Sequence, residues 1–169
     1  MPGSILRHAV DFDGDGHINL ERSVPDAIGS VAHFLKAHGW QPGMPTHYTV
    51  EPPPEGPERA ALLAPDITPS FTAQELAEKG ARLAEPGAQH QGPLALVEVQ
   101  NGDKPPSHVA GTQNFHVVTR YNWSSYYALA VIELGQAVMA LAPASAAAPP
   151  SASSAAGHPK PTATPRTKG

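Results

Sequence analysis

The run Asp11-Phe12-Asp13-Gly14-Asp15-Gly16-His17-Ile18-Asn19 sets three carboxylates two residues apart and follows them with glycine. This is the front of an EF-hand calcium loop, D-x-D-x-D-G-x-I. The carboxylates of Asp11, Asp13 and Asp15 converge because such a loop coils around the ion. Gly16 permits the sharp turn, His17 offers its backbone carbonyl, Ile18 anchors the loop and Asn19 acts through a water. Three close carboxylates repel one another unless a hard divalent cation neutralises them. Several carboxylates with a carbonyl suit the larger shell of Ca2+ better than the rigid octahedron of Mg2+. The standard loop closes on a Glu at its twelfth position, which here is Arg22, with Glu21 one residue early and Asp26 in the next helix turn. A sensor pairs two loops with a Met-rich groove, whereas this chain has one loop and 3 Met. The expectation is a structural Ca2+ clamp, weighed against a solvated Asp/Gly turn.

A second run, Thr119-Arg120-Tyr121-Asn122-Trp123-Ser124-Ser125-Tyr126-Tyr127, packs four aromatics and an amide into nine residues. Aromatic faces stack on sugar rings, and amides and phenols bind sugar hydroxyls. Core packing plus a helix cap at Asn122 or Ser124 accounts for the same residues. Other catalytic patterns are missing. The nine His residues form no H-E-x-x-H, and neither a G-x-S-x-G elbow nor a P-loop occurs. Zero Cys excludes a disulfide framework, a thiolate metal site and a Cys nucleophile. Glu98 and Glu133 fall in a predicted strand and helix, the other Glu residues in loops or polar faces, and none stands out as a catalyst.

These groups need elements to hold them. A helix is predicted from Pro25 to His38, with Ile28, Val31 and Leu35 on one face and Gly39 ending it. A short one from Ala73 to Lys79 opens with a Thr72/Glu75 capping box and stops at Gly80. A third, Ser125 to Leu141, carries the stripe Tyr127, Val131, Leu134, Val138, Leu141. Strands are predicted at Leu94–Gln100, with Asn101-Gly102 as a turn, and at Phe115–Arg120. Residues 41–70 hold eight Pro, so loop or edge structure is expected there. The tail 142–169 has nine Ala, six Pro and no large apolar residue, and is expected to be disordered.

The fold class is therefore α+β, mainly helical. The expected divisions are 1–40 with the calcium loop and a helix, 41–118 with the Pro-rich connection and a small β insert, 119–141 as a returning helix, and 142–169 as a tail. Net charge is −4, divided as −7 over residues 1–141 and +3 over 142–169. An acidic body argues against nucleic acid as a partner. No apolar run approaches the ~20 residues of a membrane span, and no signal peptide is visible.

The segments MPGSILRHAVDFDGDGHINL, PDAIGSVAHFLKAHGWQPG and NFHVVTRYNWSSYYALAVIELGQAV resemble, in that order, the C-terminal part of the lytic murein transglycosylase B family. The resemblance covers residues 1–140, most strongly 1–43 and 114–138. It implies cleavage of MurNAc-GlcNAc bonds in peptidoglycan to 1,6-anhydromuropeptides, in the periplasm or at the outer membrane. It implies a partial lysozyme-like core with an EF-hand-like calcium loop and a small β-rich insert. It assigns the late calcium ligand to Asp26, beside Asp11, Asp13, Asp15 and His17. It places Tyr121, Asn122 and Tyr127 along the glycan groove.

The family's catalytic Glu lies upstream of the calcium loop, so by this resemblance the chain lacks its catalytic residue and is inactive alone. Peptidoglycan glycan strands and a missing N-terminal half are the expected partners. Rival expectations are a calcium-stabilised peptidoglycan-binding module without catalysis and a calcium-responsive interaction protein. Loss of packing partners is expected to expose Ile5, Ile28 and Leu134.

Overall fold

The computed structural model describes residues 2–141. The expectation for 142–169 lies outside them. The chain opens with α1 (Pro2–His8), passes through the acidic loop and enters α2 (Val24–Ala37). Ser23 caps α2, its hydroxyl accepting the Asp26 amide at 3.2 Å. The predicted boundaries of this helix hold to within a residue.

The sheet follows. Strands β1 (His47–Glu51), β2 (Arg82–Leu83), β3 (Ala95–Asn101) and β4 (Lys104–Gly111) lie in the order β2-β1-β4-β3, every pair antiparallel. Helices α3 (Pro57–Leu63) and α4 (Ala73–Glu78) fall between β1 and β2. The predicted capping box at α4 is present, with Thr72 and Glu75 exchanging hydrogen bonds. The chain then returns through α5 (Gln113–Thr119) and α6 (Ser125–Leu141).

Alternation along β3 explains its continuous apolar run. Leu94 and Leu96 enter one cluster with Val50, Leu62, Leu76 and Ala110. Ala95, Val97 and Val99 enter another with Ile67, Phe115, Val118 and Ala128. Successive side chains point to opposite faces, and here both faces are covered.

Two expectations need correction. Residues Phe115–Arg120 are not a strand; they belong to α5. Phe115, Val117, Val118 and Thr119 are all buried, so the helix is covered on several sides and its apolar residues lose the helical period. Thr112 caps it, and Thr119 satisfies its hydroxyl on the His116 carbonyl at 2.7 Å. The partner of β3 is instead β4, joined through Gly102 at φ 64. Its Pro105-Pro106 sit beyond the reach of β1, whose pairing is confined to Val109–Gly111, so no second ladder loses a donor.

The Pro-rich stretch also holds more structure than expected. It contains β1, an inner strand, and α3, where Pro57 occupies the first turn and its missing N–H costs nothing. The apolar stripes of α2 and α6 face outward, as expected from the loss of packing partners. Ile28 is 64% exposed and Leu134 65%. α2 buries Asp26, Gly29, Ser30 and Phe34, and α6 buries only Ala128. Ile5, Ile28 and Leu134 are exposed as anticipated.

Candidate functional site

The acidic loop is drawn onto the start of α2 by one buried carboxylate. Asp26 Oδ1 accepts the amides of Phe12 (2.8 Å) and Asp13 (3.4 Å), and Oδ2 accepts that of Asn19 (2.8 Å). The Asn19 and Phe12 amides hold the Asp26 carboxyl below its ordinary pKa, outweighing the opposing effect of burial. Its side chain is fully removed from solvent. Asp11 folds the loop upon itself, taking the amides of Gly14 (2.7 Å) and Gly16 (2.8 Å). Both glycines have left-handed φ, 77° and 91°, which favours glycine in this turn. Ser23 donates its hydroxyl to Asp13 Oδ2 at 2.6 Å.

Asp11, Asp13 and Asp26 each bring one carboxylate oxygen within 4.8 Å of the others. Oxygens so spaced fit a single Ca2+, which binds each at 2.3–2.6 Å. Among the described residues, no ion pair engages these three carboxylates. Asp15 and His17 lie outside the trio, tied to each other through Asp15 Oδ1 and the His17 amide at 2.8 Å. Ser23 was not among the candidates; its spacing S-x-x-D before a helix was the available signal. Gly29 was also missed. A Cβ there would lie 2.4 Å from the Phe12 ring, so the loop seats on α2 only because that position is bare.

A second feature adjoins the loop. A groove of about 420 Å³ runs between α1, α2 and the α5–α6 junction. Tyr121 and Tyr127 stack in its wall, centroids 5.5 Å apart and planes 18° from parallel. Tyr121 meets Phe34 edge-on at 6.2 Å. Ile5, Leu35, Val118 and Val131 add apolar surface, and among the described residues no acidic one lines the groove. The structure thus brings Tyr121 and Tyr127 together, while Asn122 sits on the adjoining turn, exposed, outside the groove lining. Trp123 continues that turn at φ 58, beneath the Arg120 guanidinium at 5.0 Å.

The groove is held in place at long range. Asn114, fully buried at the start of α5, donates to the carbonyls of Gln41 and Met44 and accepts the Gln41 amide, each at 2.8 Å. The end of α2 and the start of α5 are thereby fixed to each other. Neither pairing nor partner was legible in the sequence.

Chemically, the three carboxylates could hold a divalent cation, and the stacked tyrosines suit a ring's apolar face.

Comparison with known proteins places the chain in a family. A family model described as the transglycosylase SLT domain matches residues 1–136. The chain is 40% identical over 147 residues to membrane-bound lytic murein transglycosylase B of Escherichia coli (strain K12), covering 82% of this chain and 36% of that protein. The Escherichia coli lytic transglycosylase Slt35, solved in complex with calcium, matches with TM-score 0.68 and 38% identity over 83% of this chain and 42% of its own. SltB3 of Pseudomonas aeruginosa, solved in complex with NAG-NAM-pentapeptide, matches with TM-score 0.61 and 30% identity over 78% and 34%. The chain spans about a third of the length of the curated relative.

Proposed function

The chain belongs to the SLT transglycosylase family, and from that premise we propose that it is the C-terminal portion of a peptidoglycan lytic transglycosylase. In this reading it carries the calcium site and part of the glycan groove of an enzyme that cleaves MurNAc-GlcNAc bonds to 1,6-anhydromuropeptides. The continuous match over residues 1–136 carries the reading. Residues 1–40 and 119–141 form the helical part of the groove, and 41–118 form an insertion that leaves and rejoins it. The work is done on murein in the periplasm or at the outer membrane.

Ca2+ is the metal of the loop. Asp11, Asp13 and Asp26 supply the carboxylates, completed by Asp15 and the His17 carbonyl. The spacing of the three oxygens and the calcium complex of Slt35 support this. When bound, the ion supplies positive charge that neutralises the cage and fastens the loop to α2. Tyr121 and Tyr127 present the aromatic wall to the glycan, with Asn122 at its margin. The SltB3 complex with NAG-NAM-pentapeptide supports a glycan as occupant.

The catalytic Glu of the family lies outside these residues. Its partner is the remainder of the enzyme. The exposed apolar residues Ile28, Leu134 and Val138, outside the groove lining, are where that remainder packs. The test is incubation of the purified chain with murein sacculi. No anhydromuropeptides are expected, and their release would relocate the catalytic acid to this chain, with Glu98 and Glu133 the first to substitute.

The stacked Tyr121 and Tyr127 in the groove wall also fit a second reading, a calcium-stabilised peptidoglycan-binding module without catalysis. It requires saturable retention on insoluble murein, weakened by Tyr121→Ala; retention unchanged by that substitution excludes the groove as the binding surface.

A further inference from the structure

Three histidines from two helices meet around Phe34, away from the acidic loop. His8 closes α1, and its ring lies 5.3 Å from Phe34, edge to face. The His38 ring is 5.1 Å and the His33 ring 5.9 Å from it. The histidines within α2 and at its C-cap have defined protons. His33 Nδ1 faces the His8 carbonyl at 3.0 Å, and His38 Nδ1 faces the Phe34 carbonyl at 2.8 Å. A carbonyl can only accept, so both Nδ1 atoms carry hydrogen.

His8 is different. Its Nδ1 is buried and has no hydrogen-bond partner. A neutral ring leaves at most one weak lone pair or N–H unanswered there. A protonated ring places a charged N–H in the same spot without an acceptor, which is far less tolerable. The groups acting on it are all basic: Arg7 on its own helix, His33 and His38 on α2. From the α5–α6 side the groove presents Tyr121 and Tyr127, and no carboxylate lines it.

We propose that His8, His33 and His38 form a proton-sensitive latch between α1 and α2, in which protonation of His8 releases α1 and removes one wall of the groove. The release stops at a fixed point. Val10 stays attached to α2 through the Ser30 hydroxyl at 2.9 Å, so Ala9 is the hinge. Burial, then His38, His33 and Arg7, hold the His8 imidazole below the ordinary value of 6.5. A depressed histidine favours the docked state when neutral. Docking is therefore complete above the ordinary value and weakens as pH falls from there towards the lowered one, by about tenfold per pH unit between them.

Hydrogen exchange on the full chain in saturating Ca2+ tests this, with rates corrected for intrinsic pH dependence. The reporter is the Ala9 amide, which donates to the Ile5 carbonyl at 2.9 Å. Its protection is expected to fall several-fold between pH 7.5 and 5.5, while amides of α5 hold theirs. His8→Phe keeps an aromatic ring against Phe34 and removes the proton, so its Ala9 protection should not change with pH. Equal loss at Ala9 and α5, or the same loss in His8→Phe, overturns the latch. The ring-proton titration of His8 in the unaltered chain is a second measure, independent of how that variant folds. A midpoint below 6.5 supports the latch, and one at or above it overturns the latch.

Discussion

Asn114 and Gln41 lie 73 residues apart in sequence and exchange two hydrogen bonds of 2.8 Å, amide to carboxamide oxygen and carboxamide to carbonyl. This pair closes the insertion upon the helices. Asn114→Ala strands the Gln41 and Met44 backbone groups without their partner. A loss of about 2–4 kcal/mol is expected, several degrees of melting temperature for a domain of this size. Chemical denaturation followed by circular dichroism measures it, and a loss under 1 kcal/mol removes the lock from the account.

Gly29 and Phe12 are a matched pair. Gly29→Ala introduces a Cβ 2.4 Å from the Phe12 ring and should destabilise the loop's seat by about 1–3 kcal/mol. Phe12 is 66% exposed, so Phe12→Ala alone should cost less. The double variant should recover most of the Gly29→Ala penalty, a coupling that a double-mutant cycle reads directly.

Calcium should raise the melting temperature of the chain, and EDTA should reverse the rise. Asp13→Ala removes one cage oxygen and also the acceptor of the Ser23 hydroxyl. It should abolish the calcium-dependent shift. Differential scanning calorimetry with and without the ion decides the point; an identical trace in both conditions refutes the metal assignment.

Glu75 gives a pH signature at α4. Its carboxylate accepts the Thr72 amide at 2.7 Å and the Thr72 hydroxyl at 2.9 Å. Those bonds, the amide first, hold its pKa below the ordinary 4.5. Its contribution is therefore present above pH 4.5 and disappears as pH falls through the lowered folded value. Following the Thr72 amide by NMR from pH 6 to 2.5 should show this transition, and Glu75→Gln should erase it.

Binding to murein should distinguish the two sides of the α5–α6 junction. Tyr121→Ala removes a stacked ring from the groove wall and should weaken retention about tenfold, the scale of one lost aromatic platform. Asn122→Ala alters an exposed side chain outside the lining and should weaken it less. The reverse order would place the glycan on the outer face of the turn.

Legibility followed locality. The acidic loop, the α4 capping box and the span of α6 were readable because caps, glycines and carboxylate spacing act within a few residues. The helix at Phe115 was misread as a strand because burial on several sides erased its period. Its decisive partner, Gln41, is invisible from its own neighbourhood. The stripe Val131, Leu134, Val138 was read as one apolar face, and its exposure agrees with the expected loss of packing partners at Leu134; periodicity tells which residues share a face and not what covers it. At the site, spacing alone brought Asp11 and Asp13 together, while choosing Asp26 over Glu21 required the resemblance. Ser23, Gly29 and the His8 cluster depend on contacts between loop and helix that no local pattern encodes.

The Asn114 lock has a consequence for how this sequence can change. The path leaves the helical layer at Gln41 and returns at Asn114, and both ends are tied at the same place. The hairpin turn at Gly102 lies beside that layer, since the Gln100 amide donates to the Tyr126 hydroxyl at 2.9 Å, while a Cβ at Gly102 itself would meet nothing within 4 Å. Residues added at that turn, beyond the Gln100 contact, lengthen the excursion without moving its anchorage at Asn114, so the hairpin can vary in length while the aromatic wall keeps its shape.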